Sequence, residues 1–216
     1  MKREPPSYYP IFLNVSGKRC VVVGGGQVAL RKVGALLAQG ANVEVISPDI
    51  CPELKKLAET GEIGVQRKLY QPGDLKGASI VIAATDEHGV NLEVVKEASS
   101  TGVLINVVDD PRNSDFIVPS FLRRGDITVA VSTAGRSPAL ARKIRARLEK
   151  DLEEEYAALA VLVDEVRMEA KSQGIKVSGD DWQKALDLDL LIDLLKKGDR
   201  ERARSLLLGN LKTLMR

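Results

Sequence analysis

Three consecutive glycines, Gly24, Gly25 and Gly26, follow directly on the apolar run Val21, Val22 and Val23, and an amphipathic pattern opens straight after them. Strand, glycine turn and helix in that order form the cradle that a dinucleotide pyrophosphate needs. Gly24 permits a tight turn at the strand end. Gly26 lets the backbone approach phosphate closely. Ala29 stands where a third glycine often lies and keeps the helix near the strand. The first free N–H groups of the helix and the positive end of its dipole then face the phosphates. A second strand pattern ends at Ser47, Pro48 and Asp49. Ser47 occupies the position usually held by the ribose-binding acid, and Asp49 follows slightly late. Ribose recognition through Ser47, Asp49 or the Pro48 backbone competes with a plain turn there. No arginine stands beside them, which favours NAD over NADP.

Further groups with chemical potential fall at later strand ends. Thr85 and Asp86 close the fourth strand pattern, and Asn106 and Asp109 close the fifth. Strand ends on this side of a parallel sheet border the ligand crevice. A carboxylate at Asp109 can take a proton, orient a substrate or touch a metal there. A capping or turn role competes on equal terms, because Asp109-Asp110-Pro111 is also a turn composition. Arg136, Arg142, Lys143, Arg145 and Arg147 gather around one helix. They suit a ligand rich in carboxylates. A solvated face paired with Glu149, Asp151 and Glu153–Glu155 is the simpler account of most of them, and Arg136, ahead of the helix, is the one placed to face a crevice. His88 is the sole histidine, and no His/Cys cluster exists, so no metal-ligating residue is assigned. Neither a G-x-S-x-G elbow nor a GK[ST] sequence after the glycines is present, which excludes those hydrolase and P-loop readings.

The elements that must position these groups alternate. Strands are expected at 19–24, 42–47, within 63–70, 79–85 and 103–108, with helices at 27–39, 52–60 and 87–100. That alternation predicts a parallel α/β sheet covered by helices on both faces. Past Asp109 the pattern changes. Residues 116–119 and 126–133 read as antiparallel strands around Arg123-Arg124-Gly125. Ser137 and Pro138 read as the N-cap and first position of a helix with the apolar stripe Leu140, Ile144, Leu148 and Leu152. Helices over 153–172, 181–197 and 199–213 complete the chain, parted by Gly174 and Gly198.

Composition bounds the alternatives. The chain has 216 residues and a net charge of +2. That length suits a domain with an appendage or two small domains, and the near balance of charge gives no pull toward nucleic acid. Two cysteines, Cys20 and Cys51, make no disulfide framework and read as free thiols in a reducing compartment. The absence of a long apolar run or an apolar leader predicts a cytoplasmic protein with no membrane contact.

Four blocks together are more specific than the glycines. YPIFLNVSGKRCVVVGGGQVALRKV, AATDEHGVN, NVVDDPRNSDFIVPS and VAVSTAGRSPALARKIR follow in this order over about Tyr9 to Leu148. In them the chain resembles the siroheme synthase family, in its precorrin-2 dehydrogenase/sirohydrochlorin ferrochelatase module. The resemblance implies a Rossmann domain binding NAD over 1–113, a central dimerisation region over 114–150 and a helical C-terminal domain over 151–216. It implies a homodimer with the active site between domains. It also implies oxidation of precorrin-2 to sirohydrochlorin, with Fe(II) insertion in some members. The family aspartate falls on Asp109, as proton acceptor. Gln27 and Val28 match cofactor contacts on the glycine turn, Pro48 and Asp49 those after the second strand, and Ser132 and Thr133 a hydroxyl-bearing segment near the tetrapyrrole. The competing expectation is an NAD-sensing regulatory module without catalysis, which has no need of the block from Asn106 to Pro138.

Overall fold

The computed structural model describes residues 7–214 and divides into two compact units, Met1–Val118 and Pro119–Arg216. In the first, β1 (Arg19–Val23), β2 (Asn42–Ile46), β3 (Gly64–Gln66), β4 (Ile80–Ala83) and β5 (Leu104–Val107) form one parallel sheet in the order β3-β2-β1-β4-β5. The helices are α1 (Gln27–Leu37), α2 (Pro52–Glu59) and α3 (His88–Thr101). A sheet covered on both faces needs strands apolar on both sides, which is why Val21, Val22 and Val23 run without alternation. Val22, Val33, Leu36, Val45 and Leu54 fill the layer under α1 and α2, and Val21, Val81, Val94, Ala98 and Ile105 fill the layer under α3. The crossover from β3 to β4 covers that second layer with a loop. Buried Tyr70 and Leu75 point into it, and the Glu97 carboxylate pins it by accepting the N–H groups of Gly73 at 2.9 Å and Leu75 at 3.0 Å and the Tyr70 hydroxyl. Burial and this carboxylate together push the Tyr70 phenol far above its ordinary range.

The chain runs outward from β1 through β2 to β3, then returns to lay β4 against the other side of β1. The reversal between β1 and β4 is the switch point where a crevice opens at the carboxyl edge of such a sheet.

The second unit begins with a hairpin of β6 (Ser120–Arg124) and β7 (Ile127–Val131). The first of these strands lies further along than the expected 116–119. Arg124 pairs with Ile127, so the loop is only Gly125 and Asp126, with Gly125 at φ +53°. A two-residue turn carries the ladder up to the residue beside it. Phe116 is held elsewhere, packed in the first unit under α1, with its carbonyl accepting the Asn106 amide at 2.9 Å. Helix α4 (Pro138–Asp151) starts as expected, with the Ser137 hydroxyl accepting the Leu140 N–H at 3.2 Å. Then follow α5 (Glu155–Ser172), α6 (Gly179–Ala185), α7 (Leu188–Lys196) and α8 (Arg200–Leu214) around Leu162, Val166, Leu191 and Leu207. The single helix expected over 181–197 is two. Ser178 and Asp181 form a reciprocal capping box that starts α6 early, and the Asp187 carboxylate caps a fresh start by accepting the Leu190 N–H at 3.1 Å.

Candidate active site

At the carboxyl edge of the sheet the three glycines serve three different ends. Gly24 takes φ +124°, and a Cβ there would stand 2.4 Å from the Ala84 carbonyl oxygen, across the switch point. A Cβ on Gly25 would stand 1.9 Å from the Asp49 carbonyl oxygen. Gly26 is the N-cap of α1, and a Cβ there would meet nothing within 4 Å. Protein packing thus demands the first two glycines and leaves the third open. No side chain caps α1, and its first turn holds no acid. The site therefore keeps open space and uncapped N–H groups where a pyrophosphate would lie, so these residues fit a bound dinucleotide. Ala29 is fully buried, which lets α1 lie close on the strand.

The second loop is tied to this turn. The Ser47 hydroxyl donates to the Asp49 carbonyl at 2.6 Å, and the Cys51 N–H donates to the Gly25 carbonyl at 2.8 Å. Buried Ser47 thus holds the very carbonyl that Gly25 makes room for, while Pro48 and Asp49 stay exposed. Gln27 is exposed and donates to Glu53 at 3.2 Å, and Val28 is partly buried. Past β4, the Thr85 hydroxyl accepts the Glu87 N–H at 2.8 Å, and Asp86 is exposed. Asn91 donates to the Thr85 carbonyl at 2.9 Å and so fixes the end of the strand. Neither Gly25 nor Asn91 was assigned a role from sequence. The signal for Asn91 was its place in the AATDEHGVN block, six residues after Thr85.

The two aspartates after β5 have separate fates. Asp110 does the structural work. Its carboxylate accepts the N–H groups of Arg112 at 3.1 Å and Asn113 at 3.3 Å and the Asn113 amide at 2.6 Å, capping the 3-10 turn Pro111–Asn113. Those hydrogen bonds, the Asn113 side chain first, hold its carboxyl below the usual range. Asp109 is exposed, takes φ +59°, and its carboxylate makes no hydrogen bond to any described residue. A left-handed conformation costs most non-glycine residues about 1–2 kcal/mol, and aspartate and asparagine are the side chains that enter it most readily after glycine. β5 lies two strands from β1, so Asp109 and the glycine turn share one edge about 10 Å apart. Asn106 does not reach that edge free. It is buried, and its amide ties β5 to Phe116.

In the second unit, Ser132 is exposed and its hydroxyl accepts the Ala134 N–H at 3.0 Å. Thr133 both donates to the Ser137 carbonyl and accepts its N–H at 3.0 Å, closing the turn before α4. Arg136 stands exposed in that turn. Of the basic residues on α4, Arg145 pairs with Glu149 at 2.6 Å. Among the described residues no three His, Cys, Asp or Glu side chains converge on a metal position, and no helix is long and apolar enough to cross a membrane.

This sheet and edge place the chain in a class that comparison with known proteins then narrows. The model of an NAD(P)-binding family matches residues 11–120, and the chain belongs to that family. A second model, sirohaem biosynthesis protein central, matches residues 124–151. The chain is 43% identical over 181 residues to the siroheme synthase of Nitrosococcus oceani, covering 83% of this chain and 39% of that protein. It is 40% identical over 200 residues to the siroheme synthase of Chromobacterium violaceum, covering 92% of this chain and 42% of that one. The chain therefore spans about two fifths of the length of these relatives. Among solved structures, one described as SirC, precorrin-2 dehydrogenase, shares the fold at a TM-score of 0.68 and 24% identity, over 95% of this chain and 100% of that one.

Proposed function

We propose that the chain oxidises precorrin-2 to sirohydrochlorin with NAD as the hydride acceptor. The observation that carries this reading is Asp109, a left-handed carboxylate on the same sheet edge as the glycine turn that makes no hydrogen bond within the described residues, beside an Asp110 that caps a turn. The relatives named siroheme synthase and the structure named precorrin-2 dehydrogenase support it.

The reaction removes two hydrogens from the macrocycle, one as hydride and one as a proton. NAD, when bound, supplies the hydride acceptor. The turn at Gly24–Gly26 and the start of α1 bind its phosphates, with Gln27, Val28, Ala29, Pro48, Asp49, Thr85 and Asp86 along the same edge. Ser47 acts indirectly, by holding the Asp49 carbonyl. Asp109 accepts the proton, for which a carboxylate with no internal partner is suited. Ser132, Thr133 and Arg136 contribute toward the carboxylate-rich substrate, and Asn106 positions the strand end. Fe(II), where it is inserted, is a second substrate whose ligands are the four macrocycle nitrogens.

We also assign residues 114–150 as a dimerisation region between a dinucleotide-binding part (1–113) and a helical part (151–216), in a homodimer working in the cytoplasm. Support comes from the stripe on α4. Leu140 is 51%, Ile144 39% and Leu148 37% exposed, on a helix whose sequence pattern demands cover. Sedimentation should show a dimer that Leu140→Lys with Ile144→Lys converts to a folded monomer. A wild-type monomer would refute this assignment.

The activity itself is tested by giving the protein precorrin-2 and NAD and following NADH at 340 nm. NADH and sirohydrochlorin should form together, and Asp109→Ala should lower kcat by about a hundredfold or more with NAD still bound. NAD binding without NADH formation would overturn the reading and leave a nucleotide-binding module.

A further inference from the structure

The sheet edge has a second end. A ribose-reading position at the close of β2 puts the adenosine half of a dinucleotide on the β2–β3 side, with Asp109 on the other. In sequence no arginine stands beside Ser47, Pro48 and Asp49. In the fold one does. β3 runs parallel to β2 with Gln66 level with Ile46, and the Ser47 N–H continues the ladder by donating to the Gln66 carbonyl at 3.2 Å. Arg67 is the next residue, so it comes level with Ser47, one strand spacing of about 4.8 Å away.

The fold employs the neighbours of Arg67 and leaves Arg67 itself free. The Gln66 side-chain amide donates to the Glu44 carboxylate. Lys68 pairs with Asp74 at 2.5 Å, and Asp74 also accepts the Gln71 N–H at 2.8 Å. Arg67 is exposed and makes no ion pair or hydrogen bond with any described residue. The facing position on β2 is equally distinctive. An acid there would hold the ribose 2′-hydroxyl and repel a phosphate. Ser47 brings no negative charge, and its hydroxyl proton is committed to the Asp49 carbonyl at 2.6 Å.

We infer that Arg67 determines specificity at the adenosine end: its guanidinium receives a phosphate on the ribose 2′ position, so that the site takes NADP as well as NAD. Resting on the reading that a dinucleotide lies along the glycine turn, the assignment adds which dinucleotides that edge admits. A guanidinium presents its N–H groups as a planar fork that matches two phosphate oxygens, which an ammonium does not. The phosphate in turn supplies the counter-charge that the fold leaves Arg67 without. Two carboxylates limit how far the preference goes. Asp49 is exposed with its carboxylate free of described partners, and Glu53 is held by the Gln27 amide at 3.2 Å. Both lie after β2 and oppose a 2′-phosphate, whereas the 2′-hydroxyl of NAD carries no charge for them to repel. One cation set against these carboxylates gives admission of both nucleotides, not exclusion of NAD.

Isothermal titration of the full chain with NAD and with NADP decides the matter without turnover. The wild type should bind NADP within about tenfold of NAD. Arg67→Gln should weaken NADP by about tenfold or more and move NAD by less than about twofold, as expected when a charge-assisted contact to phosphate is lost. Arg67→Lys should recover only part of the NADP affinity, because the ammonium keeps the charge and loses the fork. Added salt should weaken NADP more than NAD in the wild type, and the two alike in Arg67→Gln. Lys68→Gln removes the same charge one residue on and should leave the ratio of the two affinities unchanged.

NADP excluded while NAD binds overturns the inference. Equal losses of both nucleotides in Arg67→Gln would assign Arg67 to the adenine or the pyrophosphate and overturn the 2′ assignment. A change of ratio in Lys68→Gln as large as in Arg67→Gln would leave only the general field of the surface, and overturns it as well. Uptake of neither nucleotide by the wild type refutes the dinucleotide reading and this assignment with it. NAD uptake that Gly26→Ala weakens, with NADP excluded, strikes the Arg67 assignment alone. Precorrin-2 left unoxidised with either nucleotide bound refutes the dehydrogenase and leaves Arg67 in its role.

Discussion

Two turns at the same sheet edge solve the same problem in opposite ways. The β1–α1 turn takes its unusual backbone from glycine, with Gly24 at φ +124°. The turn after β5 takes its own from aspartate, with Asp109 at φ +59°. At the first, neighbouring atoms leave no choice, since a Cβ on Gly24 or Gly25 would run into backbone. At the second, a glycine would be easier for the backbone, and a carboxylate is there instead. The difference separates what packing requires from what it tolerates. Strain that geometry does not demand points to chemistry. Asp110 makes the contrast sharper, for one residue further on the same side chain type is engaged in three hydrogen bonds and caps a turn.

The largest effect expected from this contrast is at Gly25. Gly25→Ala forces the Asp49 carbonyl to move and breaks its bond from Ser47, and with it the tie from Cys51 to the turn. Urea unfolding should show a loss of about 3 kcal/mol, from overpacking together with a lost part-buried hydrogen bond. Unchanged stability would mean that the two loops do not lock together. Gly26→Ala should behave differently. Its backbone is extended and its Cβ would be unopposed, so the variant should lose no more than about 1 kcal/mol, the difference between glycine and alanine at an N-cap. Titration calorimetry should instead show NAD binding weakened by about tenfold or more, because the methyl enters space that phosphate needs. Undiminished affinity would move the nucleotide off this turn.

At the other turn the sign reverses. Asp109→Gly relieves the left-handed strain and should stabilise the protein by about 1 kcal/mol, read as a rise in Tm of about 2–4 °C. The same substitution should abolish NADH formation. A variant that is both more stable and inactive is the signature of a residue kept for chemistry. A variant less stable than the wild type would show that Asp109 holds the turn and would erase the contrast with Asp110.

Much of this edge was legible in the residues. The order of strand, glycines and helix named the β1–α1 turn, and the alternation that followed named the parallel sheet, because both are local patterns with a fixed period. Which of two adjacent aspartates would cap was not legible. That depends on Pro111 and Asn113 closing a 3-10 turn two residues after Asp109, and either carboxylate fits the composition. The residues leave Ser47 open to a ribose or a plain turn, and the bond its hydroxyl makes to the Asp49 carbonyl is set by how the two loops meet. The helix patterns were equally uneven. The stripes of α1 and α4 look alike in sequence, yet Val33 and Leu36 are buried by the sheet while Leu140 and Ile144 stand exposed. Amphipathicity says that a face is to be covered. It does not say by what, and in α4 more than a third of each of Leu140, Ile144 and Leu148 is left open.

The smallest effect tests the ordinary member of the aspartate pair. Asp110→Ala removes a cap with three acceptor contacts and should cost about 1 kcal/mol at neutral pH, the usual scale for a capping carboxylate. Its pH dependence follows from the direction of its shift. The folded pKa lies below the ordinary value of 3.8, so ionised Asp110 stabilises the folded state above that value. The contribution is lost as pH falls from about 3.8 through the lowered folded pKa, where the carboxyl protonates and its lone pairs no longer serve the Arg112 and Asn113 N–H groups. Chemical denaturation of wild type and Asp110→Ala at a series of pH values should therefore give two curves separated above pH 5 and converging toward acid. A separation that persists at the lowest pH would mean that Asp110 acts by shape alone. Kinetics complete the contrast: Asp110→Ala should retain NAD affinity and lose turnover only so far as the displaced turn carries Asp109 with it. A loss as deep as that of Asp109→Ala would assign the chemistry to Asp110, and the division of labour between the two neighbours would have to be reversed.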